Sequence, residues 1–301
     1  MDKKHVFGHH YSKVSYINMV NKIIFILVLF QCIFTNAQTI SNDTLAHRYL
    51  VFINGHRGPK NDKDIAINNI KIKDSTGYWM KYDDAIIKRF PSSKALYLDG
   101  HNSIKTSMQR NFVKITASYL GSRFCWFSKK SRWIINPKVN AEGFLIRMKN
   151  GAEAGKNYLN LSCNTEKCNT VKDTIDIVCH SFGYAYSIGF IDAIKNKVVF
   201  GKILIMAPES ANYWGADWTM FEEVWQYGCN NLGNANSEVI CHHDGIAPQQ
   251  QVLGLELMMP NNGGRVFIPE NAKKGFIRSH HLDYWSWFFD IKSTDYGYFT
   301  R

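Results

Sequence analysis

The feature that most constrains this chain is a series of short, almost unbroken apolar runs set far apart along it. Residues 49–53 read YLVFI, 95–98 ALYL, 175–179 IDIVC and 203–206 ILIM, with a weaker fifth run, VWQY, at 224–227. Each is too short for a buried helix and lacks the polar alternation of a strand with one wet face. Strands covered on both faces have this texture. Between the runs, residues 103–120, 141–161 and 183–194 carry helix-compatible patterns. Strands alternating with helices predict an α/β fold: a mostly parallel central sheet with helices on both faces, in a single domain. In such sheets ligands collect at the carboxyl ends of the strands, so that is where chemistry is expected.

The 301 residues contain no internal repeat, low-complexity tract or Pro/Gly/Ser-rich linker, and 45% are hydrophobic against 20% charged. That composition supports one sizeable core. The N-terminus is read apart from it. Residues 23–34 form an apolar stretch too short to span a bilayer, preceded by Lys22 and followed by Thr35-Asn36-Ala37, the small-residue pattern that signal peptidase accepts. Residues 1–37 are therefore predicted to be a signal peptide, with translation from Met19 giving it an ordinary length. Residues 38–301 would be the mature, exported domain, periplasmic or extracellular. No transmembrane anchor is expected.

Removal of four lysines and one aspartate with that segment lowers the formal charge from +11 to +8. The basic residues are dispersed, which argues against nucleic acid as a partner and leaves only weak attraction to anionic surfaces. Six cysteines remain. Cys163 with Cys168, and Cys229 with Cys241, each bracket a polar loop and are expected to form disulfide staples, whereas Cys179 lies inside an apolar strand and reads as a small buried residue.

The third run ends in Cys179-His180-Ser181-Phe182-Gly183 and passes directly into a helix-like segment. A turn that sharp lifts a serine hydroxyl clear of the backbone and demands small residues two positions to either side. Gly183 meets the demand, Cys179 less comfortably. The following helix carries Gly183, Ala185, Ser187 and Gly189, which would let it approach the sheet closely, and its amides and dipole would favour an oxyanion. On these residues the chain resembles the lipases and esterases of the α/β-hydrolase superfamily, whose GxSxG elbow often has His before the serine. Here Cys179 replaces the first glycine.

The resemblance implies a serine hydrolase cleaving carboxylic esters through an acyl-enzyme, with Ser181 as nucleophile and no cofactor. It places an oxyanion hole at Asn54-Gly55-His56-Arg57-Gly58 after the first strand, where Gly55 allows the close turn and the amides of His56 and Phe182 donate. The acid should follow the serine in sequence and the base should come last. Asp244, in Asp-Gly-Ile-Ala-Pro, is the preferred acid, with Asp217 and Glu209 as competitors. For the base, His281 is preferred over its neighbour His280; both lie after a strand-like run at 275–277. Tyr213, Trp214 and Trp218 are expected to rim an apolar acyl pocket for a small-molecule or lipid ester. Cys241-His242-His243-Asp244 is rich in metal ligands, yet immediate neighbours do not readily converge on one ion, so no metal site is expected. Two other functions fit the same residues: an acyltransferase or peptidase using this triad, and an inactive secreted binding protein on a hydrolase fold.

Overall fold

The computed structural model describes residues 46–55, 57, 70–74, 76–79, 82–90, 93–101, 142–162, 172–228, 251–257, 262–269 and 280–299. They belong to one compact unit, Ala46–Arg301. Six strands form a single sheet: β1 (Arg48–Ile53), β2 (Lys94–Leu98), β3 (Thr174–His180), β4 (Val199–Met206), β5 (Glu223–Tyr227) and β6 (Gly263–Val266). Their order is β2-β1-β3-β4-β5-β6, and every pairing is parallel. The chain leaves β1 for β2 on one side and returns to β3 on the other, so the order reverses between β1 and β3. A crevice opens at the carboxyl ends of two such strands because their connections diverge.

Side-chain alternation explains the apolar runs. Val51 and Ile53, Ile175, Ile177 and Cys179, and Ile203 and Ile205 enter one core cluster; Leu50 and Phe52, Val178, and Leu204 and Met206 enter another. Because both sets are fully buried, the strands need apolar residues at every position. The first cluster also holds Phe144 and Tyr158 of α2 (Glu142–Ser162) and Tyr184, Phe190 and Ile191 of α3 (Gly183–Ile194). Trp79, Phe299, Ile86 of α1 (Tyr82–Ile87) and Phe288 of α4 (Ser286–Phe289) join the second. The one carboxylate in the apolar run of β3, Asp176, is fully buried but answered: Arg48 reaches it with Nε at 2.6 Å and Nη2 at 2.8 Å, and the Lys202 amide donates at 2.7 Å. Without such partners a buried carboxylate costs several kcal/mol or more.

The helix expected at 141–161 runs Glu142–Ser162, and the one at 183–194 has those limits. The small residues of α3 serve two neighbours, the sheet as expected and a second helix. Gly183 lies against the exit of β1, but Gly189 faces α2: a Cβ there would overlap the Met148 carbonyl, as one on Gly151 would overlap that of Tyr186. The two helices cross backbone to backbone. The predicted signal segment, the helix at 103–120, the run at 275–277 and the cysteines at 125, 163, 168, 229 and 241 lie outside the described residues. Cys179 is buried and free. Among the described residues no helix is long and apolar enough to cross a membrane.

Candidate active site

Ser181 sits between the end of β3 and the start of α3 with φ +58°, a left-handed conformation that a non-glycine residue rarely adopts. The turn is held from three directions. The Ser181 amide donates to the Met206 carbonyl at 2.9 Å, its own carbonyl accepts from Tyr184 N–H at 3.2 Å, and the backbone of Gly55 presses on it from β1. A Cβ on Gly55 would lie 2.6 Å from Ser181 Cβ and 2.8 Å from the His180 carbonyl; one on Gly183 would lie 2.6 Å from the Ile53 and Asn54 carbonyls. Both glycines are therefore required by contact. Cys179 escapes that constraint because its side chain points into the core cluster beside Ser187, where burial pushes the thiol pKa up to about 12.

Two further side chains converge on the serine. His280 Nε2 lies 2.8 Å from Ser181 Oγ, and its Nδ1 lies 3.5 Å from Glu209 Oε1. All three residues are buried, at 3% (Ser181), 7% (His280) and 3% (Glu209) exposure. A carboxylate facing Nδ1 favours the tautomer with its proton there, which leaves Nε2 free to accept from the serine hydroxyl. At 3.5 Å the two are in ion-pair range, longer than a hydrogen bond. Glu209 follows β4 on a turn with two more left-handed residues, Ala207 (φ +44°) and Ser210 (φ +54°). The three left-handed non-glycine positions among the described residues thus all lie at this one place.

Of the two neighbouring histidines, it is His280 that meets Ser181; the preferred His281 does not share that position. His281 is extended (φ −74°, ψ 132°) and exposed, and it precedes the 3-10 turn Leu282–Tyr284. His280 is helical and His281 extended, so the backbone changes direction between them; His280 is buried and His281 exposed. The preferred acid, Asp244, lies outside the described residues, as does His56. Asp217 caps the 3-10 turn Trp218–Met220 by accepting from Thr219 N–H at 3.1 Å. Glu209 is the carboxylate beside the histidine.

The loops after β1 and β2 are tied together around the site. Asn54 accepts from the Gly100 amide through Oδ1 at 2.6 Å. Arg57 pairs with Asp99 (Nη2 to Oδ2, 2.9 Å) and its amide donates to His101 Nδ1 at 3.1 Å. Phe182, the residue after the serine, lies under the Arg147 guanidinium, 4.6 Å from its ring centroid.

The expected rim divides. Tyr213 is 38% exposed and stacks on Trp214 at 5.0 Å, which stacks on Phe144 at 5.2 Å. Trp218 is buried in the core cluster, its indole N–H donating to the Leu253 carbonyl at 2.8 Å, so it does not line an accessible rim.

Two residues had no signal in the sequence strong enough to assign a role. Tyr78 and His180 are hydrogen-bonded to each other, Tyr78 hydroxyl to His180 Nδ1, and His180 Nε2 lies 2.8 Å from the His280 carbonyl. Among the described residues no group of three or more His, Cys, Asp or Glu is arranged to hold a metal ion. No protein-family model matches the chain, and no curated protein matches it.

Proposed function

We propose that this protein is an exported serine hydrolase of the α/β-hydrolase kind, with helices on both sheet faces, acting on carboxylic esters. The observation that carries the proposal is a serine in a strained strand-to-helix turn with a histidine nitrogen 2.8 Å from its oxygen. A strained nucleophile held beside a base, with a carboxylate behind the base, is the arrangement that acyl transfer needs.

In the proposed reaction Ser181 Oγ attacks the ester carbonyl while His280 Nε2 takes its proton. Glu209 holds His280 through Nδ1 and offsets the imidazolium charge. His280 replaces His281 as base and Glu209 takes the role first given to Asp244. The amides of Phe182, at the start of α3, and His56 are the proposed oxyanion donors. His280 then returns the proton to the leaving alcohol. Water, activated by the same histidine, attacks the acyl-enzyme; the acid is released and the serine restored. Every proton is carried by the triad, so no cofactor is invoked. Tyr213 and Trp214, after β4 and backed by the buried Phe144 of α2, supply an aromatic surface suited to the acyl portion of a small-molecule or lipid ester.

Labelling with a fluorophosphonate probe tests the proposal directly. Wild type should be labelled and Ser181→Ala should not. A folded wild type that takes no label would falsify the hydrolase assignment in favour of a non-catalytic binding protein.

A further inference from the structure

The residue before the nucleophile connects it to the base by a second route. His180 ends β3, is 3% exposed, and sends its ring toward the segment that carries His280. The ring nitrogens have different partners. Nε2 is 2.8 Å from the His280 carbonyl oxygen, which can only accept, so Nε2 carries the proton and donates. Nδ1 is then an acceptor and receives the hydrogen bond that the Tyr78 hydroxyl donates. The Tyr78 oxygen in turn receives the backbone N–H of Gly55, the residue whose Cα faces Ser181. Trp285 closes the other side of the imidazole, ring centroids 6.2 Å apart and nearly perpendicular.

A closed circuit results. From Ser181 it runs through its peptide neighbour His180 to the His280 carbonyl, and from the His280 ring back to Ser181 Oγ at 2.8 Å. The Tyr78 arm extends it to the turn after β1. A histidine on a chain segment far from its serine in sequence has its position fixed only by such contacts, and a displacement of about 1 Å can cost on the order of 100-fold in rate.

We infer that His180 is a positioning residue, setting the His280 backbone relative to Ser181 by donating from Nε2, with Tyr78 fixing the tautomer that makes this possible. The inference rests on the proposed hydrolase chemistry at Ser181. It adds a role that the triad itself does not need: any side chain could precede the serine, but only one that both donates at that reach and fills the space against Trp285 holds the base segment in place.

The test uses the kinetics of fluorophosphonate inactivation, resolved into reversible binding (Ki) and the chemical step (kinact), in full-length protein. His180→Phe keeps the ring and removes the donor; His180→Gln keeps a donor near Nε2. His180→Phe should lower kinact roughly 10- to 100-fold with little change in Ki, and His180→Gln should recover most of the loss. A purely structural role would instead lower thermal stability in both variants and leave the kinact of the folded fraction alone. Should His180→Phe not fold, Tyr78→Phe decides: it removes only a hydroxyl and should lower kinact several-fold. Wild-type labelling with kinact within twofold in the decisive variant overturns the positioning role. So does a His180→Gln no better than His180→Phe. Loss of labelling in wild type itself would instead overturn the hydrolase proposal, so the two failures are distinguishable.

Discussion

Glu209 lies on a turn whose backbone is strained on either side, Ala207 at φ +44° and Ser210 at φ +54°, and it is 3% exposed. Each such conformation costs about 1–3 kcal/mol and persists only where the surroundings enforce it. Here the Ala207 amide donates to the Tyr227 carbonyl at 2.9 Å, and the Tyr213 amide to that of Ser210 at 3.1 Å. The strain is understandable if the turn must aim a carboxylate at His280. Glu209→Gln preserves the shape and removes the charge, so neither the Nδ1–H tautomer nor the imidazolium is supported. Ester turnover should fall on the order of 10³- to 10⁴-fold, and a loss under threefold in a pH-7 ester assay would remove Glu209 from the triad. The histidines give a matching contrast. His280→Ala should abolish fluorophosphonate labelling, while His281→Ala, on the outward-facing neighbour, should stay within about threefold of wild type. The opposite pattern would restore His281 as base.

At the scale of elements, the α2–α3 crossing is the most exacting contact. Cβ atoms on Gly151 and Gly189 would meet backbone carbonyls of Tyr186 and Met148, which are not free ends able to swing aside. Gly189→Leu should destabilise the protein by about 3 kcal/mol, read as a lower urea midpoint at unchanged m-value. An unchanged midpoint would mean the helices are not in backbone contact. The same crossing marks a limit of the sequence. A stripe of Gly, Ala and Ser along 183–194 announces close approach, but not everything that approaches; the sheet lies at Gly183 as expected, and α2 lies at Gly189. Strands β1 to β5 were legible because burial on both faces forces unbroken apolar runs. Edge strand β6, with the sequence Gly263-Gly264-Arg265-Val266, carries no such run and was not. In the site, the strand-to-helix turn at Ser181 was legible because it imposes local demands on its neighbours. The partners of Ser181 come from segments 28 and 99 positions away, and the preference for His281 over His280 depended on which way one extended residue points. Tyr78 left no trace because a tyrosine in a loop imposes no pattern on its surroundings.

At the scale of the whole molecule, three stretches of chain meet at one buried imidazole: the loop carrying Tyr78, the end of β3, and residues 280–285. Tyr78, His280 and Trp285 pack against His180, and none of them carries a negative charge. Burial is the main reason its pKa is pushed down to about 3; the His280 carbonyl opposes the shift and the like charge of His281 adds to it. In the unfolded chain the same group titrates near 6.5. Between those values the unfolded state holds a proton that the native state refuses, so stability rises with pH. The contribution is fully present above about pH 6.5 and is lost progressively as pH falls toward 3, with a slope approaching about 1.4 kcal/mol per pH unit. His281, whose pKa burial also lowers, acts in the same direction. Urea midpoints of wild type at pH 7, 6, 5 and 4 should therefore fall more steeply than those of His180→Gln, which has nothing to protonate at that position. Comparing slopes rather than absolute stabilities removes whatever the substitution costs in packing. Parallel slopes would mean that the imidazole accepts its proton in the folded protein, which requires the Tyr78–His180 hydrogen bond to open and the circuit between base and nucleophile to be looser than its geometry implies.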